Sequence, residues 1–216
     1  SMPMQILFRS ENRKEKGLIE VFDSVINDVE AKIGKDYSKG TLKHYQTSKK
    51  RLLEFLKAQT DRSEIALSKV DFGFLSAFDL FLKKDKKVMP NTALTYHKHL
   101  KKVYNTAIAL GFVTKSPYEL FKPTRNKTNR AFLTLQELEQ IKDKKIVIPR
   151  MDLVRDMFVF AAYTGLSFCE LEKIGPAQVQ KGIDGKNWII IERSKTKTRC
   201  PIPLLPDAID VLKKYE

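Results

Sequence analysis

The sequence is short of cysteine, of acidic charge and of long apolar runs, and each shortage removes a class of protein. Two cysteines in 216 residues, Cys169 and Cys200, cannot build a disulfide framework, which fits a reducing compartment and the expectation that both are plain buried thiols. The longest apolar stretch, Met157 to Leu166, follows Arg155-Asp156 and falls well short of the ~20 residues a membrane-spanning helix needs. Ser1-Met2-Pro3-Met4 lacks the basic-then-apolar pattern of a secretory leader, and Ser1 ahead of Met2 has the look of a tag remnant. No GxxxxGK[ST] or GxGxxG loop is present to cradle a nucleotide phosphate. His97 and His99 stand two apart on a predicted helix, about 200° around it, and cannot share a metal, while His44 stands alone. Glu137 and Glu139 belong to an ordinary polar helix face, which gives a two-metal nuclease little support. No metal and no cofactor are expected.

What the chain has in excess is positive charge. Forty Lys and Arg against 26 Asp and Glu leave a net charge of +14, which favours a polyanionic partner, nucleic acid ahead of an anionic membrane surface. The excess is shared between the two parts of the chain, +9 over residues 1 to 122 and +5 over 123 to 216, so both parts are able to face one polyanion.

Apolar spacing predicts four helices in the first part. Leu18, Phe22, Val25, Ile26, Val29 and Ile33 form one stripe, stopped by Gly34. A second helix over about 41 to 59 buries Leu42, Tyr45, Leu52, Phe55 and Leu56 and keeps Lys43, Lys49, Lys50 and Arg51 mostly off that stripe. A third, capped by Asp71 and ended by the basic run Lys83 to Lys87, carries Phe74, Leu75, Phe78, Phe81 and Leu82. A fourth opens at Pro90-Asn91-Thr92 and reaches Leu110, with Tyr96, Leu100, Val103, Ala107 and Leu110 inward. On its other side Lys98, Lys101, Lys102 and Asn105 fall at i, i+3, i+4 and i+7. That stripe suits duplex DNA, because lysine serves phosphates and base edges and asparagine pairs with adenine. A solvated helix face is the plainer reading.

A turn near 116 to 121 leads into residues 122 to 131, which lack any large apolar side chain and form a basic extended linker with Arg125, Lys127 and Arg130. Thr134-Leu135-Gln136-Glu137 is a capping box that starts a new helix with Leu135, Leu138 and Ile141 inward. Residues 151 to 163 are apolar nearly all round, which predicts a central buried helix. Strands are expected over 188 to 191 and 199 to 204, joined by a polar turn at 194 to 198, the second pushed to a sheet edge by Pro201 and Pro203. Pro206 opens a last helix with Ala208, Ile209 and Leu212. No repeat or low-complexity segment is present.

In this order, four helices, the basic linker, Leu133-Thr134-Leu135-Gln136-Glu137-Leu138, Tyr163-Thr164-Gly165-Leu166, Glu170-Leu171, and Ile191-Glu192-Arg193-Ser194-Lys195-Thr196 before Ile202-Pro203-Leu204, the sequence resembles the tyrosine recombinases, the phage-integrase family, and within it the integrases of bacterial mobile elements. Asn91-Thr92, Ala107, Gly111 and Ser116-Pro117-Tyr118 add to the likeness, which covers about 18 to 216. The resemblance implies a mainly α protein with a small β-hairpin sheet: a helical SAM-like core-binding domain over 18 to 122, a linker over 123 to 131, and the N-terminal part of an α+β catalytic domain over 132 to 216. It implies a clamp on double-stranded DNA and site-specific recombination through a 3′-phosphotyrosyl intermediate, without a cofactor. It gives Lys195 the place of the hairpin lysine that protonates the leaving 5′-oxygen, with Lys197 as neighbour and possible substitute, and gives Glu170 the place of an acidic residue that arranges the site. DNA contacts are expected from Lys98, Lys101, Lys102, Asn105, Lys49, Lys50, Arg51, Arg125, Lys127, Arg130, Lys195 and Lys197.

Two departures stand out. Where the family places its first catalytic arginine, after Thr-Gly-Leu, this chain has Ser167, which itself forms a capping box with Glu170. Arg150 and Arg155 are the sequence candidates to supply the missing cation. The family's His-x-x-Arg and nucleophilic tyrosine do not occur before Glu216, and Tyr215 comes too early to be that nucleophile. The expectation is therefore a fragment of a cytoplasmic bacterial recombinase, monomeric and inactive alone, from a protein that assembles as a homo-oligomer on DNA. Residues 3 to 17 are expected to be the tail of a preceding domain or linker. A non-enzymatic DNA-binding or regulatory protein that keeps the clamp is the competing expectation, and a basic RNA-binding or membrane-surface module is a third.

Overall fold

A computed structural model describes residues 15–215 of the chain. The reading of Ser1 and most of that for residues 3 to 17 lie outside them. The chain parts into two compact units between Thr128 and Asn129.

The first unit is helical: α1 (Leu18–Ala31), α2 (Lys39–Thr60), α3 (Phe72–Leu80) and α4 (Pro90–Ala109), with α1, α2 and α4 in mutual contact. Each helix begins where an acceptor meets its orphan N–H groups. Ser38 Oγ accepts from Thr41 N and Asp71 Oδ1 from Phe74 N, while Pro90 needs no such partner at the first turn of α4. α1 follows Gly17, which has no side-chain cap. Its first turn is capped from elsewhere in the chain: Glu64 Oε1 accepts from Ile19 N at 2.8 Å and Oε2 from Glu20 N at 3.1 Å. A Cβ on Gly17 would lie 2.4 Å from the Glu64 carboxyl carbon, so glycine makes room for this borrowed cap. α3 runs on into a π turn, Phe81–Asp85, in which both Phe81 and Leu82 are buried.

Phe55 is the hub of the core, with the rings of Phe74, Phe78 and Phe81 at 5.2, 5.3 and 5.4 Å. The inward stripes largely match expectation: Leu18, Phe22, Val25, Ile26, Val29, Tyr45, Leu52, Phe55, Leu56, Leu75, Phe78, Leu100, Val103 and Ala107 are all buried. Five expected members are not. Ile33 lies beyond the end of α1, Leu42, Phe74 and Tyr96 are half-buried, and Leu110 is exposed at the C-cap of α4, where the chain turns away through Gly111.

Several side chains with polar groups are sealed in with this core. His97 Nδ1 lies 3.0 Å from Tyr118 Oη, with Nε2 3.3 Å from Asp79 Oδ1. Tyr104 Oη donates to Leu67 O at 3.0 Å. Burial pushes the His97 pKa down to about 4, with Lys83 acting in the same sense and Asp79 opposing. His99 Nδ1 is 2.6 Å from Ser48 Oγ and its ring stacks on Tyr45, tying α4 to α2.

The second unit contains α5 (Leu135–Asp143), α6 (Pro149–Thr164), α7 (Phe168–Leu171), the antiparallel sheet β1 (Val179–Lys181), β2 (Asn187–Glu192) and β3 (Arg199–Pro203), and α8 (Pro206–Lys213). The strand order is β1-β2-β3, so the proline-bearing β3 is an edge as expected, and its register sets Ile189 against Ile202. β1 was not expected from the sequence. Phe160, Leu166, Ile189, Ile202, Leu204 and Ala208 make the core.

Three expectations are corrected here. α6 is not a central buried helix: Val159 and Phe160 are buried, but Val154 and Phe158 are 51% and 47% exposed, because α5, α7 and α8 pack on only part of its circumference. The buried side also carries Asp156, which accepts from Arg155 Nε, Lys214 Nζ and Tyr215 Oη at 2.6, 2.6 and 2.7 Å. The Thr134–Glu137 capping box forms, yet Leu135 is 64% exposed and Leu138 and Ile141 only half-buried, since α5 meets the unit mainly through α6. Cys169 is exposed at the start of α7 and Cys200 half-buried on β3, so neither is a buried thiol.

Acid should loosen the first unit through His97. Unfolded histidine titrates near 6.5, so the stability that neutral, buried His97 provides is complete above that pH and is lost as pH falls toward about 4. The full effect is on the order of 3 kcal/mol. Chemical denaturation at pH 7, 5.5 and 4.5 should give a steep decline for the native chain and a shallower one for His97→Asn.

Candidate nucleic-acid interface and phosphate site

α4 has two distinct sides. Leu100, Val103 and Ala107 face the core, and Lys98, Lys101, Lys102 and Asn105 are all exposed on the other side. The two stripes follow from one helical repeat, in which burial of the apolar side leaves the polar positions outward. Among the described residues none of the three lysines is paired with a carboxylate. Other lysines of the unit are: Lys49 with Asp23, Lys83 with Asp79 at 2.6 Å, and Lys86 with Glu54 at 2.9 Å.

The remaining expected contacts divide in the same way. Lys50 is exposed, whereas Lys49 is held by Asp23, and Arg51 Nη1 is held by Glu54 at 2.8 Å. Arg125, Lys127 and Arg130 are exposed on extended chain. Asn91 fixes part of that chain by accepting from Asn126 N at 3.0 Å and donating through Nδ2 to Asn126 O at 2.9 Å.

In the second unit the β2–β3 turn presents Lys195 and Lys197, both exposed, and Lys197 takes a left-handed backbone with φ 57°. The base of this turn is tied to the start of α7. α6 ends at Gly165, whose φ of 66° is the left-handed C-cap that glycine adopts without cost. Ser167 then donates to Glu170 Oε2 through its backbone N–H at 2.9 Å and its hydroxyl at 2.8 Å. Arg193, the last residue before the turn, donates through Nη1 to that same oxygen at 2.7 Å and to Gly165 O at 3.2 Å. Lys173 Nζ donates to Ser194 Oγ at 3.1 Å.

Glu170 is thus buried beneath three donors. The Ser167 N–H and hydroxyl, then Arg193, hold its carboxyl down to about 2 against the opposing effect of burial. The carboxylate stays charged and fixes the Arg193 guanidinium at the base of the turn that carries Lys195. Arg155, which the sequence offered as a replacement cation, is engaged elsewhere, because it donates to Asp156, Asp152 and the carbonyls of Lys142 and Lys144 and so joins α5 to α6. Arg150 is exposed at the first turn of α6. The guanidinium at Glu170 is Arg193, which sequence reasoning passed over, although it stands two residues before Lys195. Among the described residues no three His, Cys, Asp or Glu side chains gather to hold a metal, and no helix is long and apolar enough to cross a membrane.

Glu170 predicts an acid-sensitive second unit. Its contribution to stability is complete above the ordinary glutamate pKa and is lost as pH falls from there toward about 2. Glu170→Gln should lower the melting temperature at pH 7 and flatten its fall between pH 5 and 3; equal melting curves for the two proteins would remove the carboxylate from this role.

Comparison with known proteins bears on the fold. The phage integrase SAM-like domain family matches residues 17–128. No curated protein is a match. Among solved structures, a lambda integrase tetramer bound to a Holliday junction is similar with TM-score 0.70 at 18% identity, over 99% of this chain and 60% of that one. A lambda integrase dimer bound to a COC′ core site gives 0.71 at 18%, over 92% and 69%, and Tn1549 transposon integrase with circular intermediate DNA gives 0.64 at 16%, over 92% and 64%. At these identities the likeness is one of fold, and the chain spans only 60% of the first of these structures. With half its length matched by the family, the chain belongs to the phage integrase family through its SAM-like domain.

Proposed function

We propose that this chain is the DNA-gripping part of a site-specific tyrosine recombinase that moves mobile-element DNA. The observation that carries the reading is the outer stripe of α4: three exposed lysines and an asparagine, with no acidic partner for the lysines among the described residues, in a chain of net charge +14. A stripe of lysines without carboxylate partners on a rigid helix is an electrostatic footprint for phosphates, and Asn105 on the same face supplies a donor and acceptor for a base edge. Lys50, Arg125, Lys127 and Arg130 extend the grip along the first unit and the linker, and Lys195 and Lys197 supply it in the second.

In the complete recombinase a tyrosine attacks the scissile phosphodiester and releases a 5′-oxygen. Lys195 is suited to protonate that oxygen, because it is exposed on a turn whose base is fixed by Arg193 and Glu170. Glu170 positions and does not itself transfer a proton, since it stays ionised far below neutral pH. Lys49 and Arg51, already paired with Asp23 and Glu54, are weaker contributors. The protein is cytoplasmic and bacterial on this reading, acts on double-stranded DNA as a homo-oligomer when complete, and as this chain binds as a monomer without cutting.

Ser167 favours a second reading, a DNA-binding or regulatory protein that keeps the fold without the chemistry. Its backbone and hydroxyl both serve Glu170, and a hydroxyl cannot offer phosphate the paired donors of a guanidinium.

Duplex-DNA binding across a salt series tests the shared part of both readings. The native chain should show a steep log–log dependence, and Lys98→Ala/Lys101→Ala/Lys102→Ala should flatten the slope by about 0.9 for each phosphate the variant no longer neutralises. Failure of the native chain to bind duplex at low salt, or an unchanged slope in the triple variant, would sink the proposed interface.

A further inference from the structure

We propose that Arg193 is a phosphate-contacting residue of the second unit, taking the cationic role that Ser167 cannot fill; the inference rests on the DNA-binding reading above. A guanidinium has five N–H donors in a planar fork. Nη1 makes the hydrogen bonds to Glu170 Oε2 and Gly165 O, Glu170 favours the charged form of the group, and the Cys200 side chain lies beside it. The protein holds Nη1 at the base of the turn, and the side chain remains 32% exposed, which leaves it within reach of an anion from solvent. This is the form of a pre-organised phosphate receptor: the geometry is set before the ligand arrives, so little rotamer freedom is lost on binding.

The surroundings favour an anion there. Lys195, Lys197 and Arg199 follow in the same hairpin, and Lys173 is tied to Ser194 next door. Glu170 compensates one positive charge, leaving the group of cations with a clear excess, although Glu172 and Glu192 are also exposed nearby in sequence. A plain structural ion pair would not need this setting. Ser167 completes the argument, because its two donors meet the oxygen that Arg193 also meets, so an arginine at 167 would have the same carboxylate to pair with.

The test uses the full chain and a fluorescein-labelled random-sequence DNA duplex, with anisotropy followed across a salt series. Arg193→Gln should weaken binding about tenfold at low salt and reduce the log–log slope by about 0.9, the equivalent of one phosphate left unneutralised. Arg193→Lys should keep the slope and weaken binding by a smaller factor, because it keeps the charge and loses the fork. Ser167→Arg added to Arg193→Gln should restore the slope, which a merely structural role for Arg193 does not predict. In the native chain the Arg193 Nε–H resonance, assigned by its absence from the Arg193→Lys spectrum, should shift on titration with duplex and not with sodium chloride of equal ionic strength; this readout stands even where Arg193→Gln fails to fold. An unshifted resonance, or a native slope in a folded Arg193→Gln chain, overturns the assignment. If the α4 triple variant flattens the slope while Arg193→Gln does not, Arg193 alone is refuted; if the native chain binds no duplex, the DNA reading falls and this inference with it.

Discussion

A net charge of +14 confined to one small chain is the constraint the rest of the structure answers to. Like charges repel, and the carboxylates available to offset them are fewer than the lysines and arginines that need them. Where those carboxylates go decides which surfaces stay positive. In the first unit Asp23, Glu54 and Asp79 attend cations on α2 and around the π turn after α3, and Glu64 is committed to the start of α1. Exposed pairs of this kind add little stability each. Their larger effect is selective: they neutralise lysines elsewhere and leave the lysines on the outer side of α4 without a carboxylate partner among the described residues. In the second unit Asp152, Asp156 and Asp207 attend Arg155, Lys214 and Lys142, and the hairpin keeps its positive turn.

The first unit was legible in the sequence because its helices are amphipathic in the ordinary way. Leu100, Val103 and Ala107 alternate with Lys98, Lys101, Lys102 and Asn105 at helical spacing, and one pattern yields both the core and the candidate interface. Capping was legible too, at Asp71, Thr134 and Ser167, because each cap bonds within three residues of itself. The cap of α1 was not, since Glu64 acts across 45 residues. The second unit was harder for a related reason. Apolar residues all round α6 announce a helix that could be covered on every side, but composition does not say what covers it, and Val154 and Phe158 lie open. The three-residue β1 is too short to carry an alternating pattern.

The candidate site shows the same limit. Lys195 and Glu170 are candidates by their place in a motif, but the segments that carry them are joined through Arg193, whose partners lie 23 and 28 residues away, and through Lys173 and Ser194. Arg155 looked equally suitable as a charge in the sequence. Only its geometry removes it, with its donors already spent on two carboxylates and two carbonyls. A buried Glu170 bonded to three donors also explains how Ser167 is accommodated, since the carboxylate keeps a cationic partner whether or not its neighbour in sequence is basic.

The left-handed Lys197 carries a thermodynamic consequence for the hairpin. A branched or long side chain in this left-handed region costs the chain on the order of 1 kcal/mol relative to glycine, and the polar turn around it contributes no buried side chain in return. Segments with that balance open before the strands that carry them. Opening of this kind stops at the base of the turn, where Arg193 is tied to Glu170 and Gly165, so the tip that carries Lys195 and Lys197 can loosen while the guanidinium beneath it keeps its place.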